Sequence, residues 1–594
     1  MNVTRPSLRD VVVLRWNALE RSDRRAEQIA AFLGADVTVV ALASERAVPK
    51  CTCLVVDVET LAKAADAMPA GIDAVTGVTT DVAANVFVYG CLPTSRHEAI
   101  LRLLSGGEVT AIRPLSTPGG AFRVASGQRE WCGQFTGLSL GASDSQRDAR
   151  LVCAGTGRAT ILVAASDEPF FVSARNDGAR VFFVASDQLA DLDEKLDRQS
   201  SLLRWFSRLA PLMMFLRGAL GDRVWHNDAP RACIIIDDPS LTERHGFLEY
   251  DRLVESMRRL AFATCIAFIP WNVHRSRRTV AALLSSNDCV PSLCVHGCDH
   301  TAGEFAAASF DVMYGKARLA LERMRTHERL TSVPFDDVMV FPQGLFSVEA
   351  LSALKASGYL AAVNSDVFPS AAPATLALRE LLDVAVTRFD DFPLFGRRYP
   401  RDAAEFAFDL FLGKPALVVE HHGYFRNGYA ALESFVAQLN NLDDRLEWAS
   451  VGTICSHACL TKASAGDGAD SHVRFYTHCF SLTNTTARAR RYVLRRRTQS
   501  GLLPSVSVNG HEWPCERDGH DLMLEVSLAA GRTAHIDVSA NEAAVAESAW
   551  KETAIESAKV RLRRAACDFR DNHVDTNPFL NAIVATARNV RRRA

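Results

Sequence analysis

Residues 233–239 read Cys233-Ile234-Ile235-Ile236-Asp237-Asp238-Pro239. Three consecutive isoleucines predict a buried strand, and two adjacent carboxylates close it. Burying an unpaired charge is costly, so acids that end an apolar strand are normally exposed, paired or bound to a metal. Alone, such a pair is more often a strand terminus, with a turn opened by Pro239, than a site of chemistry.

The same pattern recurs on the C-terminal side. TCIAFIP at 264–270, SLCVHG at 292–297, VMVFP at 338–342, YLAAVN at 359–364 and ALVVEHH at 416–422 read as strands. Helical stretches lie between them, from Tyr250 to Leu260, Phe310 to Leu330 and Ser347 to Ser357. Strand–helix units with polar residues at the strand ends predict a β/α barrel, whose active face is formed by the C-terminal ends of its strands.

Several strand ends carry residues able to bind metal or move protons. VHGCDH at 295–300 places His296 and His300 four residues apart, a spacing that converges on one ion if the chain turns back. Asp299 and Glu304 are candidates to support them. Cys294 and Cys298 are read as packing. FPQG at 341–344 predicts a rigid turn. VVEHHGYF at 418–425 ends a strand in His421 and His422. IPWN at 269–272 puts Trp271 and Asn272 at a strand end, and Gln343 and Tyr424 also reach candidate pocket positions. Each signal is weak alone; an aromatic side chain at a strand end is as often core as pocket wall.

The order of the motifs resembles the polysaccharide-deacetylase family, also called the NodB-homology or carbohydrate-esterase-4 group. Its members carry an aspartate pair, H-x-x-x-H, a proline–glycine turn and a late histidine. Here these stand as Asp237-Asp238, His296 to His300, Pro342 to Gly344, and His421-His422. The likeness covers roughly residues 232–450. It implies a barrel of the polysaccharide-deacetylase type and a divalent metal, zinc first, with cobalt, nickel or manganese as alternatives. Asp238, His296 and His300 would be the ligands, Asp237 the general base, and His421 the general acid, with His422 as the fallback; a backbone N–H near Cys298 or Asp299 would help stabilise the oxyanion. Two departures stand out: the glycine after the aspartate pair is absent, and Gln343 stands in the motif that normally holds an arginine orienting the base. Arg388, Arg397 and Arg398 are the candidates to replace it.

The resemblance implies a metal-dependent hydrolase acting on C–N bonds other than peptide bonds, deacetylating an N-acetylated sugar or glycan. Alternatives are a hydrolase of small amides on the same fold, an inactive binding or scaffold protein, and, last, a metal-free glycosidase using two carboxylates, which leaves the histidine pair unexplained.

At 594 residues, 48% hydrophobic and 23% charged, the chain is long enough for two to four globular domains. Its 67 basic and 69 acidic residues nearly cancel, so composition points to neither nucleic acid nor an anionic membrane. The expected partner is a carbohydrate or small amide substrate. The start of the chain lacks a secretory pattern. Leu202 to Leu220, carrying Arg204, Arg208 and Arg217, reads as an amphipathic helix of a soluble protein. The 15 scattered cysteines read as reduced thiols, and together these features predict a soluble, cytoplasmic protein.

Residues 1–200 predict an α/β layered domain with a largely parallel sheet, including VVVLRW at 11–16 and ILVAA at 161–165, but without a phosphate-binding glycine fingerprint. A helical connection is expected over 201–231, the barrel over 232–463, a small β-sandwich over 472–544 beyond the polar linker 464–471, and a basic helical tail over 545–594.

Overall fold

Arg231–Asp237 lies inside a curled parallel sheet. In spatial order its strands are Leu394–Gly396, Ala361–Asn364, Phe335–Val340, Ser292–His296, Thr264–Phe268, Arg231–Asp237 and Ala416–His421, with Glu447–Trp448 as a side branch on Arg231–Asp237. A parallel bridge between Arg398 and Val418 brings the outer strands together. The computed structural model describes residues 9–17, 24–45, 47–117, 120–141, 147–176, 178–285, 291–306, 309–370, 374–464, 470–498, 503–539, 550–577 and 579–580. Six of the seven main strands coincide with the apolar runs expected from sequence. Leu394–Gly396 was not among them, because three residues are too few to show a period.

Alternation along these strands separates two buried clusters. Cys233, Ile235, Cys265, Ala267, Cys294, Val338, Val340, Val363, Phe395 and Leu417 pack together. Ile234, Ile236, Ile266, Phe268, Leu293, Val295, Met339, Leu394 and Val418 join the larger cluster with the surrounding helices. Successive strand residues point to opposite faces. Asp237, His296, Arg397 and His421 are therefore in phase with Ile235, Cys294, Phe395 and Leu417, the inward set. His422, one residue on, is out of phase with it.

The N-terminal sheet is mixed. Val37–Ala41, Arg9–Arg15, Cys51–Asp57, Ala83–Tyr89 and Ala179–Val184 are parallel neighbours. Glu168–Asn176, Ala159–Ala165, Phe122–Val124 and Ser139–Leu140 extend it antiparallel. The expectation of a largely parallel sheet thus holds for one half. The ILVAA run belongs to the other, where a tight turn through Ser166 and Asp167, both at positive φ, lets the chain double back.

Phe206–Leu220 is a buried helix, apolar around most of its circumference rather than amphipathic as expected. Phe215 meets Phe87 and Phe182 of the N-terminal sheet, and Phe206 meets Phe135, which packs in turn on Phe408 and Phe411 of the helix Ala403–Leu412. One of its two arginines is accommodated locally: Arg217 donates to the Phe411 and Trp225 carbonyls. Among the described residues no helix is long and apolar enough to cross a membrane, and every described cysteine is a free thiol.

Toward the C-terminus, a five-stranded and a four-stranded sheet share one apolar cluster that includes Val473, Phe480, Leu494, Val506, Leu524 and Ile536. Cys459–Ala463 already pairs with Asp470–Phe475. The helix Ala554–Phe569 then returns to the central sheet, where Asp568 pairs with Arg275 at 2.6 Å and Glu552, just before the helix, pairs with Arg323 at 3.0 Å. Most of the linker, 465–469, and the terminal basic run Arg591–Arg593 lie outside the described residues.

Candidate metal centre and active site

Asp238 directly follows the strand Arg231–Asp237 and adopts a φ of +77°; His300, in the loop after Ser292–His296, has a φ of +56°. Side chains other than glycine rarely occupy this region, and where they do the surrounding structure holds them. The His296 Nε2 lies 3.2 Å and the His300 Nε2 2.8 Å from Asp238 Oδ1. His296 is fixed in this orientation by its Nδ1 contact, 3.0 Å, with the Val340 carbonyl.

The His300 loop is held by a carboxylate. Glu304, buried, accepts the backbone N–H groups of Cys298 at 2.7 Å, Asp299 at 3.2 Å and Thr301 at 3.3 Å. Those first two N–H groups are thereby spent, which corrects the expectation that either is an oxyanion donor. Asp299 is equally occupied, receiving Arg323 at 2.6 Å and Lys316 at 3.4 Å. Gly297, at φ +64°, permits this packing, since a Cβ there would collide with Glu304 and Pro342. Cys294 and Cys298 are fully buried, with thiols held well above their usual range by hydrogen bonding to Cys265 and burial in the first case and by burial in the second.

The donor set suits a divalent metal. One carboxylate oxygen and two imidazole nitrogens lie within 4.8 Å of one another. Asp238 Oδ1 is buried without a hydrogen bond, although both rings approach it closely. Burial pushes the Asp238 carboxyl up, but His296 and His300 outweigh it and hold the carboxyl well below the ordinary range. A nitrogen–oxygen set of this kind suits zinc and neighbouring transition metals.

Beside it stands Asp237, 3% exposed. Arg397 grips it with both prongs, Nη1 to Oδ1 and Nη2 to Oδ2, each at 2.6 Å. Burial raises the Asp237 carboxyl, yet Arg397 and His296 more than reverse this and keep it below the ordinary carboxylate value. Of the three candidate arginines, Arg397 reaches the aspartate; Arg398 pairs with Asp409 and Glu405, and Arg388 with Glu380. Gln343 sits at φ +57° and accepts Gly303 N–H at 3.3 Å.

His421 Nε2 lies 4.0 Å from Asp237 Oδ2, with the ring 42% exposed and Tyr399 stacked on it at 6.4 Å. His422 turns instead toward His245 and Asp571. Glu420, between Asp237 and Arg401, is pushed up by burial to about 7. Trp271 faces Arg275 across 5.3 Å and lines a groove with Arg323 and Arg561. Asn272 is buried and its Oδ1 accepts Arg275 Nη1 at 3.2 Å, so that oxygen is engaged within the protein. Tyr424 packs edge-on against Phe425, with burial raising its phenol.

Arg397, Tyr399 and Glu304 complete the arrangement. The run Leu394-Phe395-Gly396-Arg397-Arg398-Tyr399 repeats the signature of an apolar strand with a polar end, in miniature.

No family model and no curated protein matches this chain. Among solved structures, it is similar to the carbohydrate deacetylase Agd3, at 10% identity over 90% of this chain and 99% of that one, with a TM-score of 0.48. A family 4 carbohydrate esterase from Streptomyces lividans, in complex with acetate, matches 38% of this chain and 94% of its own at 10% identity and a TM-score of 0.24. Another from Bacillus anthracis matches 39% and 84% at 11% identity and 0.25. The two esterases carry the name of the group that the motif order resembles. With each TM-score under 0.5, the weight of a functional reading falls on the site itself.

Proposed function

We propose that the chain is a divergent polysaccharide-deacetylase-like hydrolase that uses a divalent metal to remove acetyl from an N-acetylated sugar or glycan. The observation that carries this reading is the adjacency of the Asp238–His296–His300 set to an arginine-gripped Asp237 within 4.0 Å of His421. The same reading carries the finer architecture: a deacetylase-type barrel over 232–463, flanked by the α/β domain 1–200, the connection 201–231, a sandwich-like unit 472–544 and the tail 545–594.

Asp238, His296 and His300 would hold the metal, which when bound polarises an acyl oxygen and brings a water's pKa down to about 7. Asp237 takes the proton of the attacking water. Arg397 occupies one lone-pair direction on each of its oxygens and leaves others for that proton, since a carboxylate accepts up to four hydrogen bonds. Arg397 also keeps Asp237 ionised, as a base must be. His421 delivers a proton to the departing amine. Tyr399, 39% exposed beside it, and Tyr424 offer aromatic faces for a sugar ring. Trp271, Asn272 and Gln343 remain proposed for the outer wall, Asn272 by positioning Arg275 rather than by direct contact.

Arg397 also weighs against the inactive-scaffold reading, since it brings to Asp237 the charge that Gln343 lacks. The test is acetate release from N-acetylglucosamine oligomers and small N-acetyl amines by zinc- or cobalt-loaded protein. Release from the oligomers, abolished in Asp237→Asn and in His296→Ala/His300→Ala, is expected. Release only from the small amines would move the substrate class. No release from either by metal-loaded wild type would sink the hydrolase reading.

A further inference from the structure

Among the described residues, a second set of metal-competent donors comes equally close: His245, His422 and Asp571, again with ligand atoms within 4.8 Å of one another. They arrive from three separate segments. His245 belongs to the short hairpin Arg244–His245 and Leu248–Glu249. His422 opens the turn His422–Asn427, and Asp571 lies in the turn Arg570–Val574, where the C-terminal helix loosens to wider i→i+5 bonding. Such π-turns recur at functional sites.

The donors are poised and unspent. His245 is 1% exposed, and its Nδ1 is fixed by Ser240 Oγ at 3.0 Å. That leaves Nε2 buried without a hydrogen-bond partner, 3.8 Å from Asp571 Oδ2. His422 Nε2 stands 3.8 Å from Asp571 Oδ1, while its Nδ1 is buried and unpartnered. Both separations exceed a hydrogen bond. They are near the spacing of ligands that share one ion at about 2 Å each. Asp571 is 4% exposed, and among the described residues its carboxylate accepts one hydrogen bond, from the neighbouring Arg570 Nε at 2.7 Å. The walls are close-fitting: Phe247 stacks on His422, and a Cβ at Gly246 would collide with that ring.

We infer that His245, His422 and Asp571 form a second site for a zinc-class divalent cation, which staples the C-terminal helix to the active-site end of the central sheet. Nitrogen and carboxylate donors select zinc, cobalt or nickel over magnesium or calcium. The staple also fixes the backbone next to His421. Gly246 N–H donates to Asn572 Oδ1 at 2.9 Å, a direct bond between the hairpin and the turn that carries Asp571, and the metal would add a second tie there.

The test is zinc stoichiometry of the full chain, by elemental analysis and by titration with zinc alone, in wild type, His296→Ala/His300→Ala, Asp571→Asn and their combination. Folding is checked by circular dichroism. Two zinc ions are expected in wild type, one in each separate variant and none in the combination. In His296→Ala/His300→Ala, zinc should also slow amide exchange over residues 554–574 by at least tenfold. One zinc in wild type, lost with His296 and His300, overturns the second site and leaves the first. One zinc kept there but lost in Asp571→Asn supports the second site and overturns the first. Folded wild type that takes up no zinc overturns both.

Discussion

Arg397 and Asp237, 160 residues apart, meet in a two-pronged ion pair with both contacts at 2.6 Å, joining the ends of the Leu394–Gly396 and Arg231–Asp237 strands. Both side chains are buried, at 4% and 5% exposure. Removing one partner leaves the other charge uncompensated, a loss of about 3–5 kcal/mol. Arg397→Leu should therefore lower stability by that order in urea unfolding. Asp237→Asn/Arg397→Leu should recover most of the loss while staying inactive. A single variant as stable as wild type would mean that water already reaches the pair.

His421 is singled out from His422 by strand phase. It falls on the inward face, next to Asp237, whereas His422 faces Asp571. His421→Gln should cut kcat for acetate release by about 10²–10⁴-fold, the usual contribution of a general acid or base. Zinc content should not change. Loss of zinc together with activity would instead make His421 a ligand.

The central fold was legible because its strands are apolar runs of ordinary length that end in polar residues, as in Ile234–Asp238 and Val418–His422. The metal-competent set was legible because its spacing is local: His296 and His300 lie four residues apart. What escaped was everything fixed by long-range pairing. Arg397 could be named only as one of three arginines, since its strand is three residues long. Asp571 carries no signal at all in sequence, because its histidine partners lie about 150 and more than 300 residues away. The helix Phe206–Leu220 was misjudged for a related reason. Its arginines read as the polar side of an amphipathic helix, but Arg217 donates to two carbonyls and lies over the Phe411 ring across the core. Strand phase separates His421 from His422 on sequence alone, since His421 lies four residues from the inward-facing Leu417.

Glu304 touches no donor of the metal-competent set, yet it organises the loop between His296 and His300 through three backbone N–H groups. Glu304→Gln replaces a charged acceptor with a neutral amide, whose nitrogen opposes an N–H donor. The fold should persist, while His300 loses its fixed position at φ +56°. Supporting residues of this kind typically contribute 10–100-fold to metal affinity. Competition with a chelator should show zinc binding weakened by that factor in a background lacking His422 and Asp571 as donors. Unchanged affinity would reduce Glu304 to loop architecture alone.

His327 gives the molecule an acid limb unrelated to the metal-competent residues. It lies on the helix Phe310–Thr331, 1% exposed, packed on Phe268 at 4.8 Å, with Nε2 2.7 Å from Ser276 Oγ. Burial pushes its pKa down from 6.5 to about 4. The folded value lies below the unfolded one, so the unfolded chain takes up the proton first as pH falls. The histidine's full contribution is present above about pH 6.5 and is lost progressively down to about pH 4, for a total of about 3 kcal/mol. His327→Gln keeps a polar partner for Ser276 and cannot titrate. Unfolding followed between pH 7 and pH 4.5 should show a shallower loss of stability in the variant, even though His245, also held near 4, contributes its own limb to both proteins. Parallel curves for variant and wild type would show that His327 is already charged in the folded state, which would require water to reach the ring beneath Phe268.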